Sequence, residues 1–303
     1  MKDFSGKTAV ITGAGSGMGR YLALLLAKAG ANVAITDINE ETLSATAAMV
    51  KQYNVAVSSH VVDMGDMNQI EQLPETVIAH HGGVDLVFNN AGVTVGSTFE
   101  GMSETDWDWV MNINLNGVVK SSRAFLPYLK DRPEAVLVNT SSIFGMIAVA
   151  GQSAYHATKF GVRGFTESLA KEFKDSTIQV HCVHPGHVGT NIVANSRFNE
   201  DDASRLGPDF DRDQMAEMFR AKGMHPSRAA EIILSGVKKK KRRIFVGLDA
   251  VLMDLAQRIT PMHYEWLLPI INLPLYLMRN TRPLRDLPAE PESTASYQRQ
   301  PKT

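Results

Sequence analysis

A single cysteine, Cys182, stands among the 303 residues. An intramolecular disulfide is therefore excluded, and a reducing compartment is the simpler expectation. Charge of one sign is lacking too. The 31 Lys and Arg against 32 Asp and Glu leave a formal net charge of -1, which removes the overall electrostatic case for nucleic acid or an anionic surface. No apolar run reaches the ~20 residues that a membrane-spanning helix needs; "WLLPIINLPLYLM", Trp266 to Met278, is broken by Pro269 and Pro274. The opening "MKDFSGKTAVITG" turns to glycine before an apolar stretch of secretory length can form. No targeting signal is read there, and a cytoplasmic location is expected.

What is present is ordinary in bulk and informative in order. Hydrophobic residues at 44% and charged residues at 21% suit a globular chain with a large core. The segments "TAVIT" (8–12), "NVAIT" (32–36), "VSSHVVD" (57–63), "DLVFN" (85–89), "AVLVNT" (135–140) and "IQVHCVH" (178–184) are short, apolar and β-branched, as strands covered on both faces should be. Helical spacing lies between them, for example Leu22, Leu25, Leu26 and Ala29. "RIFVG" (243–247) supplies a seventh strand. This alternation predicts an α/β fold: a doubly wound, Rossmann-like parallel sheet of about seven strands with helices on both faces. This Rossmann-like domain is expected over 1–248, an apolar helical extension over 249–284, and a polar, disordered tail over 285–303.

"TGAGSGMG", Thr12 to Gly19, follows the first strand and opens a helix, the setting in which glycines form a dinucleotide loop. Gly13 allows the tight turn, Gly17 lets backbone approach a pyrophosphate, and Gly19 permits close helix–strand packing. The helix N-terminus directs N–H groups at the anion. Asp37 ends the second strand about 20 residues on, where an acid hydrogen-bonds the adenosine ribose. Its charge would repel a 2′-phosphate, and neither Ser16 nor Ile38 brings a compensating cation; NAD is expected in preference to NADP. Asp63 ends the third strand and "NNAG", Asn89 to Gly92, the fourth. Ligands bind outside the carboxyl ends of such strands, so these loops should converge.

"TGAGSGMG", "NNAG", "NTSS", "YHATK" and "HPGHVGT" occur in the order and spacing of the short-chain dehydrogenase/reductase family. Residues 5 to 248 resemble its shorter oxidoreductase branch. Tyr155 and Lys159 lie at i and i+4 on one helix face, and a nearby cation favours a phenolate. The resemblance makes Tyr155 the general acid/base of a reversible alcohol oxidation, with Lys159 lowering its pKa and binding the nicotinamide ribose. It makes Ser142 the hydroxyl that holds the substrate oxygen, leaves Ser141 structural, and gives Asn114, flanked by Asn112 and Asn116, a water for proton relay. The implied cofactor contacts are Gly13, Ser16, Gly17, Met18, Gly19, Asp37, Asp63, Met64, Asn90, Ala91 and Gly92, then Tyr155, Lys159, Pro185, Gly186, Val188 and Thr190. Homodimers or homotetramers are implied as well. A catalytically silent dinucleotide sensor or membrane-associated scaffold on the same fold is the alternative.

Val93, Val95, Ile143, Phe144, Met146 and Ile147 are expected to line the cleft. Met215, Met218 and Phe219, at helical spacing, would belong to a mobile lid over 191–225. Such a pocket suits a hydrophobic alcohol or ketone, although the same residues could pack a core. His181, His184 and His187 cross from a strand into a Pro-Gly turn, so their rings should not share a face and no metal is expected. "KKKKRR", Lys238 to Arg243, reads as a solvated loop. With Trp266–Met278 it could instead support peripheral contact with anionic lipid.

Overall fold

The β-branched runs pair side by side because each is apolar on both of its faces. In the computed structural model, which describes residues 1–199, 212–267 and 281–288, seven strands form one sheet: β1 (Thr8–Thr12), β2 (Asn32–Asp37), β3 (Val57–Val61), β4 (Leu86–Asn89), β6 (Ala135–Thr140), β7 (Ile178–Pro185) and β9 (Arg243–Val246). Their spatial order is β3-β2-β1-β4-β6-β7-β9, and every pairing is parallel. The chain winds outward from β1 in one direction and from β4 in the other. The crevice between those two strands is the switch point at which doubly wound sheets take their ligands. A two-residue ribbon, β5 (Val95–Gly96) with β8 (Arg197–Phe198), stands apart.

Alternate residues of each strand feed two cores. Ala9 and Ile11 point into one, with Leu22 and Leu26 of α1 (Gly17–Lys28) and Ile233 and Val237 of α8 (Pro226–Lys238). Val10, Val87 and Leu137 point into the other, with Ile70 and Val77 of α3 (Met67–His81) and Phe125 and Leu129 of α5 (Gly117–Lys130). This is the period-two alternation of a strand covered on both sides. Helix ends follow local chemistry. Asn39 caps α2 (Glu40–Lys51) by accepting from Thr42 N–H at 2.9 Å, and Asp66 caps α3 by accepting from Asn68 and Gln69 N–H at 2.9 and 3.2 Å. Gly82, at φ 72°, ends α3, where a left-handed residue is needed.

A π-helical turn, Asn112–Asn116, separates α4 (Glu104–Met111) from α5; the long α6 (Ser153–Glu172) crosses beneath β6 and β7. After the sheet, α7 (Arg212–Lys222) and α8 precede β9, and α9 (Leu248–Ile259) with a short 3-10 turn (Tyr264–Leu267) begins the C-terminal extension. The extension is thus helical over Leu248–Ile259 and Tyr264–Leu267, and irregular over 281–284. Its apolar stretch 268–280 lies outside the described residues, as does 289–303 of the expected disordered tail. Residues 285–288 lie against the body: Leu287 packs on the first core and Asp286 faces Lys28 at 3.6 Å. Among the described residues no helix is long and apolar enough to cross a membrane. Lys238–Arg243 forms the turn into β9, where Arg243 is not free cationic surface but pairs with Glu167 at 2.6 Å.

Asp85, at the entry to β4, ties the sheet's first two neighbours together. Its buried carboxylate accepts from Thr8 N–H at 2.9 Å and from Arg132 Nε at 2.8 Å. Asp85→Ala leaves a buried N–H and a guanidinium without their acceptor, which costs about 3 kcal/mol. Urea denaturation should show that loss, with Asp85→Asn intermediate.

Candidate active site

The loop after β1 is shaped by contacts that no side chain could share. Gly13 adopts φ 66°, and a Cβ there would stand 2.8 Å from Ala91 Cα. The glycine loop and "NNAG" therefore touch backbone to backbone. Thr12 Oγ1 joins them by accepting from both Asn90 N–H and Ala91 N–H at 3.0 Å, while Asn90 Nδ2 donates to Thr12 O at 3.1 Å. Gly17, at φ 51°, starts α1 beneath Thr190; a Cβ would lie 3.1 Å from Thr190 Cγ2. Gly19 is pressed against Gly13 O, and Met18 packs on the first core.

These residues fit a dinucleotide. Ser16, at the N-cap of α1, makes no side-chain cap hydrogen bond, and the first turn holds no acid. The amides at that helix end therefore face outward with the positive end of the macrodipole. A cleft lined by Gly17, Gly189, Thr190, Asn191, Arg220, His225, Pro226 and Thr281 opens beside them. At the other end Gly92 presents a bare Cα, where a Cβ would meet Lys159 Nζ at 3.3 Å and Asn114 Oδ1 at 3.4 Å. Thr190 N–H donates to Val188 O at 2.8 Å, Gly186 N–H donates to Val246 O at 2.9 Å, and Pro185 closes β7. Asp63 lies just past β3 and accepts from Gly65 N–H at 2.7 Å, and buried Met64 meets Gly117 across its carbonyl.

Asp37 closes β2 at the glycine loop and accepts from Gly15 N–H at 2.8 Å and Asn39 N–H at 3.0 Å. Burial raises its carboxyl pKa, opposed by those backbone donors and by the charge of Arg20. Arg20 went unremarked in the sequence, where it looks like any charge on the first helix. It is in fact buried beneath the loop, donating from Nε to Thr46 Oγ1 at 2.9 Å and from its terminal nitrogen to Gly15 O. So a cation does stand near Asp37, from a position one turn into α1. Gly15 was missed as well: a Cβ there would crowd Thr42 Oγ1 and stand 2.8 Å from the Asp37 carboxylate.

Tyr155, Lys159 and Ser142 come together. The Ser142 side chain lies beside the Tyr155 phenol and acts to lower its pKa, while Ser142 Oγ accepts from Phe144 N–H at 3.1 Å. Lys159 lies 5.4 Å from the centre of the Tyr155 ring, 3% exposed, and donates to Thr140 O at 3.1 Å. Ser141 Oγ donates to Lys159 O at 2.7 Å, a purely internal bond. Helix spacing thus delivers the proximity, but the expected depression of the phenol pKa does not follow from it. Burial pushes Tyr155 up to about 12, with the neighbouring Ser142 side chain working the other way. Lys159 sits under the ring with its ammonium committed to a carbonyl, and burial pushes it down to about 8.

Of the three clustered asparagines only Asn114 is buried; Asn112 and Asn116 are exposed. The π-turn aims Asn114 inward. Its amide accepts from Val93 N–H and donates to Val93 O, both at 2.8 Å. A π-turn inside a helix is frequent at functional sites, but nothing in "NINLNG" announces it.

Several apolar residues expected in the cleft face elsewhere. Ile143, Met146 and Ile147 are buried against Ala250, Met253 and Ala256 of α9 and Tyr264. Val95 packs with Val110 and Ala154. Phe144 stands edge-on to Tyr155 at 6.2 Å. On α7, Met215 and Met218 are exposed while Ala216 is buried, and Phe219 stacks on His187 at 4.2 Å; residues 200–211 of the expected lid lie outside the described residues. The three histidines diverge. His181 Nδ1 donates to Lys241 O at 2.7 Å, His184 Nδ1 to Ser142 O at 3.2 Å, and His187 Nε2 to Phe219 O at 2.8 Å.

Sheet order and loop geometry place the molecule among Rossmann-type nucleotide-binding proteins. The family model for short chain dehydrogenases matches residues 7–201, and the chain belongs to that family of oxidoreductases. SadH of Mycobacterium tuberculosis, named as an oxidoreductase, is 37% identical over 269 residues, spanning 88% of this chain and 95% of SadH. A short chain dehydrogenase/reductase from Burkholderia phymatum, solved in complex with NAD, superposes with a TM-score of 0.73 at 26% identity over 95% of this chain and all of that one (100%). A metagenomic short-chain oxidoreductase solved with NADP gives 0.64 at 26% identity, over 80% of this chain and 97% of that one. Relatives of this fold therefore hold either dinucleotide.

The buried Lys159 makes stability depend on pH. Its folded pKa of about 8 lies below its ordinary 10.5, so between those values the unfolded chain binds the extra proton and stability rises with pH. Relative to Lys159→Met, which does not titrate, the protein should gain on the order of 3 kcal/mol from pH 8 to pH 10.5 and lose it again as pH falls through 8. Urea unfolding of both forms across that range is the measurement.

Proposed function

We propose that the protein transfers a hydride between a nicotinamide dinucleotide, NAD before NADP, and a CH–OH or carbonyl group on a lipophilic small molecule. The observation that carries this reading is the grouping of Tyr155 and Ser142 with the buried Lys159 ammonium, 5.4 Å from the Tyr155 ring centre, at the carboxyl edge of the sheet and beside the bare face of Gly92. A bound oxidised nicotinamide supplies the hydride acceptor and a positive charge.

With its pKa at about 12, Tyr155 carries its proton at neutral pH and is an acid poised to protonate a carbonyl oxygen. Ser142, already its partner, holds that oxygen and stabilises charge on it. In the oxidative direction Tyr155 must instead accept the alcohol proton. Lys159, still cationic below about pH 8, favours the phenolate then required. The C–H electron pair leaves the carbon as the O–H proton passes to Tyr155, so the alcohol becomes a carbonyl with charge balanced. Asn114 fixes Val93 beside this cleft.

Phe144, half-buried and edge-on to Tyr155 at 6.2 Å, supports an apolar substrate. Asp37 supports NAD, because a 2′-phosphate would meet a carboxylate already taking two backbone N–H groups, while Arg20 is turned beneath the loop toward Gly15, Thr42 and Thr46. Family membership supports assembly into two or four copies.

Cofactor reduction with cyclohexanol and longer secondary alcohols tests the reaction. Tyr155→Phe should lower kcat by about 10³-fold, within the range of lost acid–base catalysis, a far larger effect than on the dissociation constant for NADH. Full activity in that variant sinks the mechanism. Asp37→Asn should shift the ratio of NADH to NADPH affinities by about 10-fold toward NADPH; titration by nucleotide fluorescence reads it, and an unchanged ratio removes Asp37 as the selector.

A further inference from the structure

The loop that begins at Ser142 is held from several sides. His184 Nδ1 donates to Ser142 O at 3.2 Å. His156 Nε2 accepts from Val149 N–H at 3.0 Å, so its proton is on Nδ1, which donates to Phe144 O at 3.0 Å. Arg163 donates to Gly145 O at 3.1 Å. These partners come from α6 and β7, the domain's own elements. The remaining one comes from the extension, 116 residues along the chain: the Tyr264 hydroxyl accepts from Ala148 N–H at 2.8 Å and donates to Ala148 O at 3.2 Å. One side chain satisfies both backbone groups of a residue that belongs to no strand or helix.

The apolar side of the same loop has the same support. Ile143, Met146 and Ile147 are buried on Ala250, Met253, Ala256 and Tyr264, so the segment expected to line the substrate cleft is instead the seat of the extension. The first turn of α9 reaches the other flank, where Asp249 Oδ2 accepts from His187 N–H at 2.8 Å in the loop that follows β7. A loop released from these contacts would be held only by its bonds to α6 and β7, and small displacements of a positioning group are costly to a reaction.

We propose that Tyr264 is a positioning residue for the substrate side of the cleft: its hydroxyl, bonded to both backbone groups of Ala148, and the apolar seat beside it hold the loop that carries Ser142. The proposal rests on Ser142 being the hydroxyl that holds the substrate oxygen. Tyr264 acts on the reaction through Ser142.

The test uses the full chain and Tyr264→Phe, which keeps the ring in its seat and removes only the hydroxyl. Amide hydrogen exchange at Ala148 should quicken about 10-fold. The kcat/KM for cyclohexanol should fall about 10-fold, mainly through KM, with the NADH dissociation constant unchanged. Trp266→Ala, in the same 3-10 turn but 76% exposed, should leave all three values as they were. Unaltered exchange at Ala148 overturns the proposal, and so does faster exchange with unaltered kcat/KM. A wild-type protein that oxidises none of the alcohols refutes the reaction proposed above, whereas the exchange comparison, which needs no turnover, still decides whether Tyr264 holds the loop.

Discussion

The active-site edge depends on one backbone contact, the approach of Gly13 to Ala91 across the β1–β4 crevice. Neighbouring parallel strands lie about 4.8 Å apart, and the loops leaving them diverge unless something joins them. Thr12 Oγ1 does so by taking two N–H groups from "NNAG". With that bridge in place, the α1 N-terminus faces the crevice, Gly92 turns its bare side toward Lys159, and the Val93 backbone meets the amide of Asn114. A Cβ at Gly13 would force the two loops apart.

Desolvation governs the chemistry at the far end of that crevice. It raises Tyr155 and lowers Lys159, pushing both toward their neutral forms, as burial does to any ionisable group. The two effects do not cancel within the pair, because the ammonium lies below the ring and answers to Thr140 O while the phenol answers to Ser142. The resting protein thus holds a protonated phenol and a buried ammonium side by side.

Much of this was legible in the sequence because it is local. Strand-length β-branched runs, the glycine string and the i, i+4 spacing of Tyr155 and Lys159 are set by neighbours within one turn or one strand, and the sheet assembled as that pattern predicted. What escaped was decided by distant partners. Arg20 reads as a surface charge until α1 docks beneath Asp37. Met215 and Met218 look like a lid stripe, yet the helix buries Ala216 and turns both methionines outward. Ile143, Met146 and Ile147 looked like pocket lining, and only the return of α9 made them core.

The sequence by itself determined the doubly wound sheet and the glycine loop that opens its first helix, since short-range periodicity and residue type specify both, while Ser142, Tyr155 and Lys159 stood out only through resemblance to the family. Tertiary structure alone decided how those residues are poised. Which of three asparagines turns inward depends on a π-turn packed beside Val93, the direction of the tyrosine pKa depends on burial, and the firmness of the Ser142 loop depends on a tyrosine 116 residues away. Proximity between remote segments is a property of the packed core, and no local pattern encodes it.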